Sequence, residues 1–494
     1  MTAFAAVDLG AQSGRVAVGR FDGARLTTTE VHRFANTPVR VGDTLHWDVL
    51  GLYREVLDGL RAVGTLDRVA SVGVDSWAID FGLVDSAGRL LRNPVHYRDP
   101  RRARAVDGVL GRIPPRELYE RTGIQLLPIN TVFELAAMAS EPDPVLDAAE
   151  AVLLIPDLVH SWLCGARVSE RTNATTTQCF DPRRETWAAD LLARIDVPAR
   201  LMPEIVEPGT LLGSLVPAVA DETGLGDASA VAVATHDTAS AVAAVPFRRR
   251  DSIFVSLGTW SLVGLELDEP VITDASFAAN VTNEGGVEGT VRLLRNVTGL
   301  WLLHECRRAW AGEGKTHSFD ELVALASDAP AFETLVDPND PSFTEPGDMP
   351  ARIRDYCVRT GQTEPAGPGS TTRCILESLA LKHAETVATL ASVSGAEPRE
   401  IHVVGGGAQN ELLCRWTASA AGLPVLAGPA EATILGNLLV QAIAAGEVAS
   451  LAEAREVVRA SVEPVVHEPE ENAAWHEARE RFARVVAGAV EVSA

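Results

Sequence analysis

The segment "THDTASAV" at residues 235–242 places a histidine and a carboxylate at the front of a run of small residues. Such a run predicts a helix that packs closely against a neighbour. An aspartate near a helix start is a favoured N-cap, and the helix dipole stabilises its charge. An aspartate is also a residue type that acts as a general base. The segment alone therefore leaves two roles open for Asp237.

A glycine turn near the N-terminus offers groups that hold a phosphate. In "AVDLGAQSGR" an apolar strand runs into a turn that contains Gly10, Ser13, Gly14 and Arg15. Backbone N–H groups, a hydroxyl and a guanidinium are typical phosphate ligands. The alternative is a plain hairpin whose arginine faces water. Asp8 ends the buried strand, where a carboxylate needs a partner, and hydrated Mg²⁺ is one natural choice.

Two more glycine turns follow apolar strands. "SLGTWSL" contains Gly258 and Thr259, a candidate second phosphate clamp, and "IHVVGGGAQN" runs into Gly405–Gly407 before a helix that begins near Asn410. Turns at strand–helix junctions let a ligand approach backbone N–H groups. The alternatives are a hairpin and a helix entry without a ligand. "AWAGEGKTH" resembles a Walker A loop, but Ala309 stands where the first glycine belongs and a helix precedes it, so we reject that reading.

The elements that would position these turns predict an α/β chain with a mixed sheet. "FAAVDLGAQSGRVAVGRFDG" and "RLTTTEVHRFA" predict a three-stranded antiparallel meander, "WDVLGLYREVLDGLRAVG" predicts an amphipathic helix, and "VASVGVDSWAIDFGLVDSAGRLL" predicts strand–turn–strand. "DSIFVSLGTWSLVGLEL" opens the second half as the first half opens. We therefore predict two related domains, residues 1–245 and 246–494, that face each other across a cleft. "ENAAWHEARERFARVVAGAV" predicts a terminal amphipathic helix.

Charge and composition exclude several classes of function. The net charge of −24 makes nucleic acids and anionic membranes poor partners. No apolar run reaches the length that spans a bilayer, and the N-terminus lacks the pattern of a signal peptide. The six cysteines form no C-x-x-C pair, which predicts free thiols in a reducing cytosol. We expect a soluble, cytoplasmic protein.

The motifs together resemble the FGGY carbohydrate kinases over nearly the whole chain, and most closely the members that act on L-rhamnulose. The resemblance rests on "AVDLGAQSGRVAV", "VGVDSWAIDFGLVD", "HYRDPR", "RTGIQLLPINT", "TNATTTQ", "ATHDTASAV", "SLGTWSL", "NVTNEGG", "NVTGLWLL", "IHVVGGGAQN" and "GPAEATILGN". It implies a two-domain actin-like fold of the sugar kinase/Hsp70 type, which is ribonuclease H-like. It also implies ATP-dependent phosphorylation of L-rhamnulose at its primary hydroxyl, with ATP and the sugar as partners.

Carried over by position, the resemblance implies that Asp237 is the general base and that His236 and Thr238 line the sugar site. The turn around Trp77 and Ala78 matches the sugar-contacting turn of the family. The nucleotide-side residues that it implies are the ATP contacts Ala11, Gln12, Ser13, Gly14, Arg15, Gly258, Thr259, His304 and Gly406 and the further substrate position Asn296.

The mechanism that the resemblance implies needs few protein groups, since phosphoryl transfer depends mainly on positioning and charge neutralisation. Asp237 would accept the proton of the sugar C1 hydroxyl, kept ionised by the helix dipole, and Asp8 would hold Mg²⁺ through water. Three positions depart from common family residues: Gln12 replaces serine, Ala78 replaces glycine and His304 replaces glutamine. The alternatives are a kinase of another ketose or polyol, or a nucleotide-dependent switch or sugar sensor without turnover.

Overall fold

The computed structural model describes residues 1–141, 144–470 and 473–492. Its strands alternate with helices along the whole chain. They are β1 (Thr2–Leu9), β2 (Ser13–Phe21), β3 (Leu26–Ala35), β4 (Val39–Val41), β5 (Thr44–His46), β6 (Ser71–Ser76), β7 (Phe81–Val84), β8 (Ala151–Leu154), β9 (Val168–Glu170), β10 (Phe180–Asp181), β11 (Thr186–Trp187), β12 (Glu204–Val206), β13 (Thr210–Ser214), β14 (Ser229–Ala232), β15 (Ile253–Leu257), β16 (Trp260–Leu267), β17 (Thr282–Gly285), β18 (Val291–Thr298), β19 (Ile401–Val404), β20 (Val425–Ala427) and β21 (Val465–His467).

The helices range from single turns to a 27-residue helix in the second half. They are α1 (Val49–Leu66), α2 (Pro100–Arg112), α3 (Pro115–Thr122), α4 (Thr131–Ser140), α5 (Val145–Ala148), α6 (Ile155–Cys164), α7 (Arg171–Ala174), α8 (Ala189–Arg194), α9 (Pro217–Thr223), α10 (Asp237–Ala243), α11 (Asp274–Ala278), α12 (Trp301–Gly312), α13 (Phe319–Asp328), α14 (Met349–Arg359), α15 (Pro368–Ser394), α16 (Glu411–Ala421), α17 (Ala432–Ala444), α18 (Leu451–Ser461) and α19 (Ala473–Val492).

The chain forms two compact units, and each is assembled from separated stretches of sequence. The first unit comprises Met1–Pro246, Glu266–Leu293 and Glu431–Glu463, and the second comprises Phe247–Leu265, Leu294–Ala430 and Pro464–Ala494. The first unit thus takes up two segments from the second half of the sequence. The division of the sequence at residue 245 stays a prediction.

The first unit is built on a six-stranded mixed sheet with the order β13–β14–β6–β1–β2–β3. Strands β1, β2 and β3 form the antiparallel meander that the sequence predicted. Strand β6 runs parallel to both β1 and β14. The predicted strand–turn–strand over residues 69–91 contains both strands, but β7 pairs with β8 rather than with β6. Every residue of β6 is buried, as expected for a central parallel strand.

Helix α17 covers β1 and β6 from the C-terminal part of the sequence. Gln441 donates from Nε2 to the backbone oxygen of Ala5 at 2.9 Å. A Cβ added at Gly436 would lie 1.7 Å from the backbone oxygen of Ser240, so only glycine lets α17 approach α10 this closely. The small residues of α10 therefore serve the close packing that the sequence predicted.

The second unit contains the predicted second hairpin, in which β15 and β16 are antiparallel. Strand β19 lies parallel to β15, followed by β20 and then β21. Helix α16 begins at Glu411, and the Asn410 side chain accepts from the Leu413 N–H at 3.0 Å, which confirms the predicted start. Helix α19 confirms the predicted terminal helix, although residues 471 and 472 of that prediction lie outside the described residues.

Two general features complete the fold. All six cysteines are free. Within the described ranges, none of the helices combines the length and the apolar character needed to cross a membrane.

Candidate active site

Three carboxylates meet at one edge of the sheet in the first unit, where parallel strands end. Asp8 of β1 is the register partner of Asp75 on β6. One residue further along, Ser76 pairs with His236, which directly precedes Asp237. Because the carboxyl ends of parallel strands share one edge of a sheet, the topology alone brings the three aspartates together.

Asp237 is the first residue of α10, and His236 occupies the N-cap position. The interpretation of Asp237 as an N-cap is therefore wrong. Its Oδ1 atom accepts from the Thr238 hydroxyl at 3.1 Å and lies 3.4 Å from the His236 Nε2. The side chain is 30% exposed, which leaves the carboxylate accessible.

The surroundings of Asp237 shift its pKa upward. Loss of solvent is the largest cause, and the charge of Asp8 adds to it, while His236 and Thr238 oppose the shift. The helix dipole was expected to favour the ionised form, but desolvation outweighs the groups that stabilise the charge. A carboxylate with a raised pKa is a stronger base than an ordinary aspartate.

Asp75 is fully buried, and sequence reasoning missed it. Its Oδ2 accepts from the Asn437 Nδ2 at 2.6 Å, and its Oδ1 has no hydrogen-bond partner among the described residues. Burial, followed by the charge of Asp8, raises its pKa well above the usual value. One signal was available, since a Val-Asp pair ends both β1 and β6.

The arginine of the first glycine turn forms ion pairs within the protein and does not extend into solvent. Arg15 donates from Nε to Asp8 at 2.8 Å and also pairs with Glu431, and its side chain is only 16% exposed. The hairpin alternative in which the arginine faces water is therefore wrong. Gln12 and Ser13 are exposed at the tip of the turn, which leaves the predicted phosphate loop accessible.

The carboxylates fit a hydrated Mg²⁺ better than a metal held by protein alone. Mg²⁺ prefers oxygen ligands and usually keeps several waters beside one or two carboxylates. Asp8 supplies such oxygens, and its side chain is 11% exposed. Among the residues described, no group of three or more His, Cys, Asp or Glu side chains is arranged to hold a metal. The role of Asp8 in holding Mg²⁺ through water stays a prediction.

The predicted sugar-contacting turn follows β6 and is strained. Ile79 has φ of +69°, which is an outlier for a β-branched residue. Ala78, at this turn, is partly exposed, and its oxygen accepts from the Asp80 N–H at 2.9 Å. The Thr131 hydroxyl holds the Ile79 oxygen at 2.7 Å. Such strain persists only where the surroundings fix it, and it concentrates at functional sites.

The buried side chain of Asp80 holds this turn in place. Sequence reasoning did not identify Asp80, Trp47 or Arg102 as part of the site. The buried carboxylate accepts from the indole N–H of Trp47 at 2.6 Å and of Trp77 at 2.9 Å, and it pairs with Arg102. The ring centroids of Trp47 and Trp77 lie 4.2 Å apart, and Trp47 stacks on His96 at 4.0 Å. The predicted contact Trp77 is thus one member of an aromatic cluster.

The second unit presents backbone groups at its own strand edge. The oxygen of Thr259 accepts from the N–H groups of Gly299 and Trp301 at 3.1 and 3.2 Å, which ties the Gly258 turn to the start of α12. Thr259 itself is partly exposed. Ser256 pairs in register with Val404, so the glycine turn after β19 follows beside the turn after β15.

The other predicted nucleotide-side residues also lie in the second unit. A Cβ at Gly406 would meet no atom within 4 Å, whereas one at Gly407 would lie 2.2 Å from Leu257. The turn is therefore open to a ligand at Gly406 and closely packed at Gly407. His304 lies on α12, where burial and the Arg307 charge lower its pKa to about 4. Asn296 lies on β18, which precedes α12.

Comparison with known proteins assigns the chain to a family. The N-terminal domain model of the FGGY family of carbohydrate kinases matches residues 3–244, and the C-terminal domain model of the same family matches residues 253–445. The chain belongs to the FGGY family of carbohydrate kinases.

Curated relatives of this FGGY kinase include the rhamnulokinase of Bacteroides thetaiotaomicron, which is 42% identical over 98% of this chain and 99% of its own length. The rhamnulokinase of Enterococcus faecalis is 40% identical over 93% of this chain and 92% of its own length. Among solved structures, a xylulose kinase from Lactobacillus acidophilus has a TM-score of 0.81 at 15% identity, covering 98% of both chains. The predicted fold class, two-domain actin-like α/β, is confirmed, and so are the family and the carbohydrate kinase activity.

The roles of single residues in this FGGY kinase stay predictions. The fold brings together Asp8, Arg15, His236 and Asp237 in the first unit, and Gly258, Thr259 and Gly406 share one strand edge in the second. Sequence reasoning missed the residues that support them, which are Asp75, Asp80, Arg102, Glu284, Arg292 and Asn437.

Proposed function

We propose that this FGGY kinase is a rhamnulokinase, which transfers the γ-phosphoryl group of ATP to the C1 hydroxyl of L-rhamnulose in L-rhamnose catabolism. The product is L-rhamnulose 1-phosphate. The observation that carries the proposal is the partly exposed carboxylate of Asp237 beside Asp8 at the strand edge. Full-length relatives named rhamnulokinase, 36–42% identical to the chain, support the choice of sugar.

Asp237 accepts the proton of the C1 hydroxyl as the hydroxyl oxygen attacks the γ-phosphorus, and ADP leaves with the electrons of the broken P–O bond. Because its Oδ1 already faces Thr238 and His236, its Oδ2 is the atom available to take the proton. The raised pKa favours this transfer, since a base whose pKa lies nearer the working pH is more effective.

The nucleotide is positioned mainly by backbone groups. We infer that the N–H groups of the Ala11–Arg15 turn and the hydroxyl of Thr259 each bind phosphate oxygens. A Cβ at Gly406 would meet no atom within 4 Å, which would leave room for the adenosine. Asp8 would hold Mg²⁺ through water, and the ion would supply positive charge that neutralises the phosphates. The partners are ATP and the sugar, and the cytoplasmic location, like the exclusion of nucleic acids and membranes, stays a prediction from composition.

A coupled ADP-release assay over L-rhamnulose, L-xylulose, D-xylulose and glycerol tests the substrate. We expect L-rhamnulose to give the highest kcat/KM, with Asp237→Asn as the background control. If another substrate wins by about tenfold, a difference of about 1.4 kcal/mol in transition-state stabilisation, the sugar is wrong and the family stands. If no substrate releases ADP while ATP still binds, the chain is a sensor.

A further inference from the structure

Arg292 is a fully buried arginine in the first unit, and its guanidinium faces the residue beside the proposed base. Its Nε donates to the Gly285 oxygen at 2.8 Å. Its Nη2 lies 3.1 Å from the His236 Nδ1, and its Nη1 lies 3.3 Å from the Glu284 Oε2. The sequence resemblance assigned no role to Arg292 or Glu284.

The contact with Arg292 determines which nitrogen of His236 carries the proton. A guanidinium has only donors and is not deprotonated in proteins. The Nδ1 atom that faces Arg292 must therefore accept, and a neutral imidazole then carries its proton on Nε2. The Nε2 atom lies 3.4 Å from the Asp237 Oδ1, so its N–H is directed at the proposed base. Catalytic hydrogen bonds are often long in ligand-free structures and tighten in the substrate complex.

The carboxylate of Glu284 faces both His236 and Arg292. Glu284 lies 3.4 Å from Nδ1, but Arg292 pairs with the same carboxylate and balances its charge.

The backbone on which His236 sits is held by other contacts. Glu170 is fully buried, and its Oε2 accepts from both the N–H and the hydroxyl of Thr235 at 2.8 Å. The N–H of His236 itself donates to the Thr172 hydroxyl at 3.3 Å. These contacts fix the main chain at His236. The contact with Arg292 then determines which ring nitrogen carries the proton.

We propose that Arg292 is a positioning residue for phosphoryl transfer, which holds His236 as the Nε2–H tautomer so that Oδ1 of Asp237 is occupied and Oδ2 faces the sugar hydroxyl. This inference rests on the proposed function of Asp237 as the base. Glu284 balances the charge of Arg292 and does not touch the reacting atoms.

The test combines a spectroscopic signature with kinetics. Long-range ¹H–¹⁵N correlations of ¹⁵N-histidine-labelled protein, with His236 assigned from the His236→Gln variant, should show a protonated Nε2 and an unprotonated Nδ1. The double variant Arg292→Met/Glu284→Gln removes both charges and leaves no buried carboxylate unpaired. We expect it to lose the pure Nε2–H signature and about 100-fold in kcat, the cost of a misplaced catalytic group, while the KM for ATP stays unchanged.

An ion pair far from the site, with side chains 29% and 23% exposed, provides the control. Arg20 and Asp67 pair at 2.5 Å near the opposite end of the sheet, and Arg20→Met/Asp67→Asn should leave kcat and the tautomer unchanged. A protonated Nδ1 in the wild-type protein, or a wild-type kcat in the Arg292 double variant, overturns the proposal. The tautomer is read without turnover, so a failure of Asp237 as the base would be seen separately in Asp237→Asn.

Discussion

The hairpin that opens the first unit and the one that opens the second are built alike but carry different groups. Asp8 in the first occupies the place of Ser256 in the second, since each precedes a Leu-Gly pair at the strand end. Each faces a parallel strand, where Asp8 meets Asp75 and Ser256 meets Val404. The first hairpin therefore places its carboxylate beside a second carboxylate, and the second hairpin presents an uncharged edge.

The physical reason for the difference lies in the charge of the substrate. Carboxylates side by side raise each other's pKa, as the charge of Asp8 does for Asp75, and they repel phosphate oxygens. An edge that binds phosphates is better served by glycine turns with free N–H groups. We therefore expect loss of the carboxylate in the first hairpin and gain of one in the second hairpin to change different kinetic constants.

The largest effect is expected for Asp237→Asn. The variant should lose roughly 10²–10⁴-fold in kcat, the contribution of a general base, and should keep its unfolding midpoint and its affinity for ATP and sugar. In the wild-type protein, kcat should fall as pH falls through a pKa above the usual aspartate value, because the base must be ionised and its pKa is raised. Near-wild-type turnover of Asp237→Asn would remove it from the mechanism.

Exchanging the residues that distinguish the hairpins tests the comparison directly. Asp8→Ser should lower kcat about 100-fold, since it removes the carboxylate that we propose holds Mg²⁺ through water. Ser256→Asp should instead raise the KM for ATP about tenfold through like-charge repulsion, with kcat less affected. Steady-state kinetics over ATP and Mg²⁺ measure both. Equal effects of the two variants on the same constant would contradict the division of roles.

A smaller effect is expected for Thr259→Val. Losing one hydroxyl directed at a charged phosphate costs about 1.5–3 kcal/mol, or roughly tenfold or more in kcat/KM for ATP. The sugar KM should not change. Thr259→Ser keeps the hydroxyl and serves as the control, so loss of activity in both variants would indicate a packing role instead.

The smallest effect is expected for glycine substitutions in the first unit, which change the free energy of unfolding. Gly436→Ala places a Cβ 1.7 Å from the Ser240 oxygen and should destabilise the protein by about 1–3 kcal/mol. Gly111→Ala on α2 meets no atom within 4 Å and should be neutral or stabilising by about 0.5–1 kcal/mol. Denaturant unfolding compares them. A Gly436→Ala variant as stable as Gly111→Ala would show that α17 and α10 can separate without cost.

The parts of the fold that local patterns specify were predicted from the sequence. Alternating apolar residues and glycine turns indicated both hairpins, and the apolar stripe of α1 indicated its helix. The partners that the sheet brings together were not predictable in this way. Asn437 reaches Asp75 across 362 positions, and Arg292 reaches His236 across 56, and no local signal connects them. The local pattern predicted strand–turn–strand over residues 69–91 but did not specify that β6 pairs with β1 and β14 and that β7 pairs with β8.

The discontinuous first unit has a consequence for synthesis on the ribosome. Strands β1 and β6 emerge early, but α17, whose Gln441 and Asn437 bind Ala5 and Asp75, follows about two hundred residues after Pro246. At roughly 5–20 residues per second, the nascent chain waits about ten to forty seconds with that apolar face uncovered. A fragment that stops at Pro246 would keep the same face exposed, so truncation should yield an aggregating polypeptide rather than a sugar-binding domain.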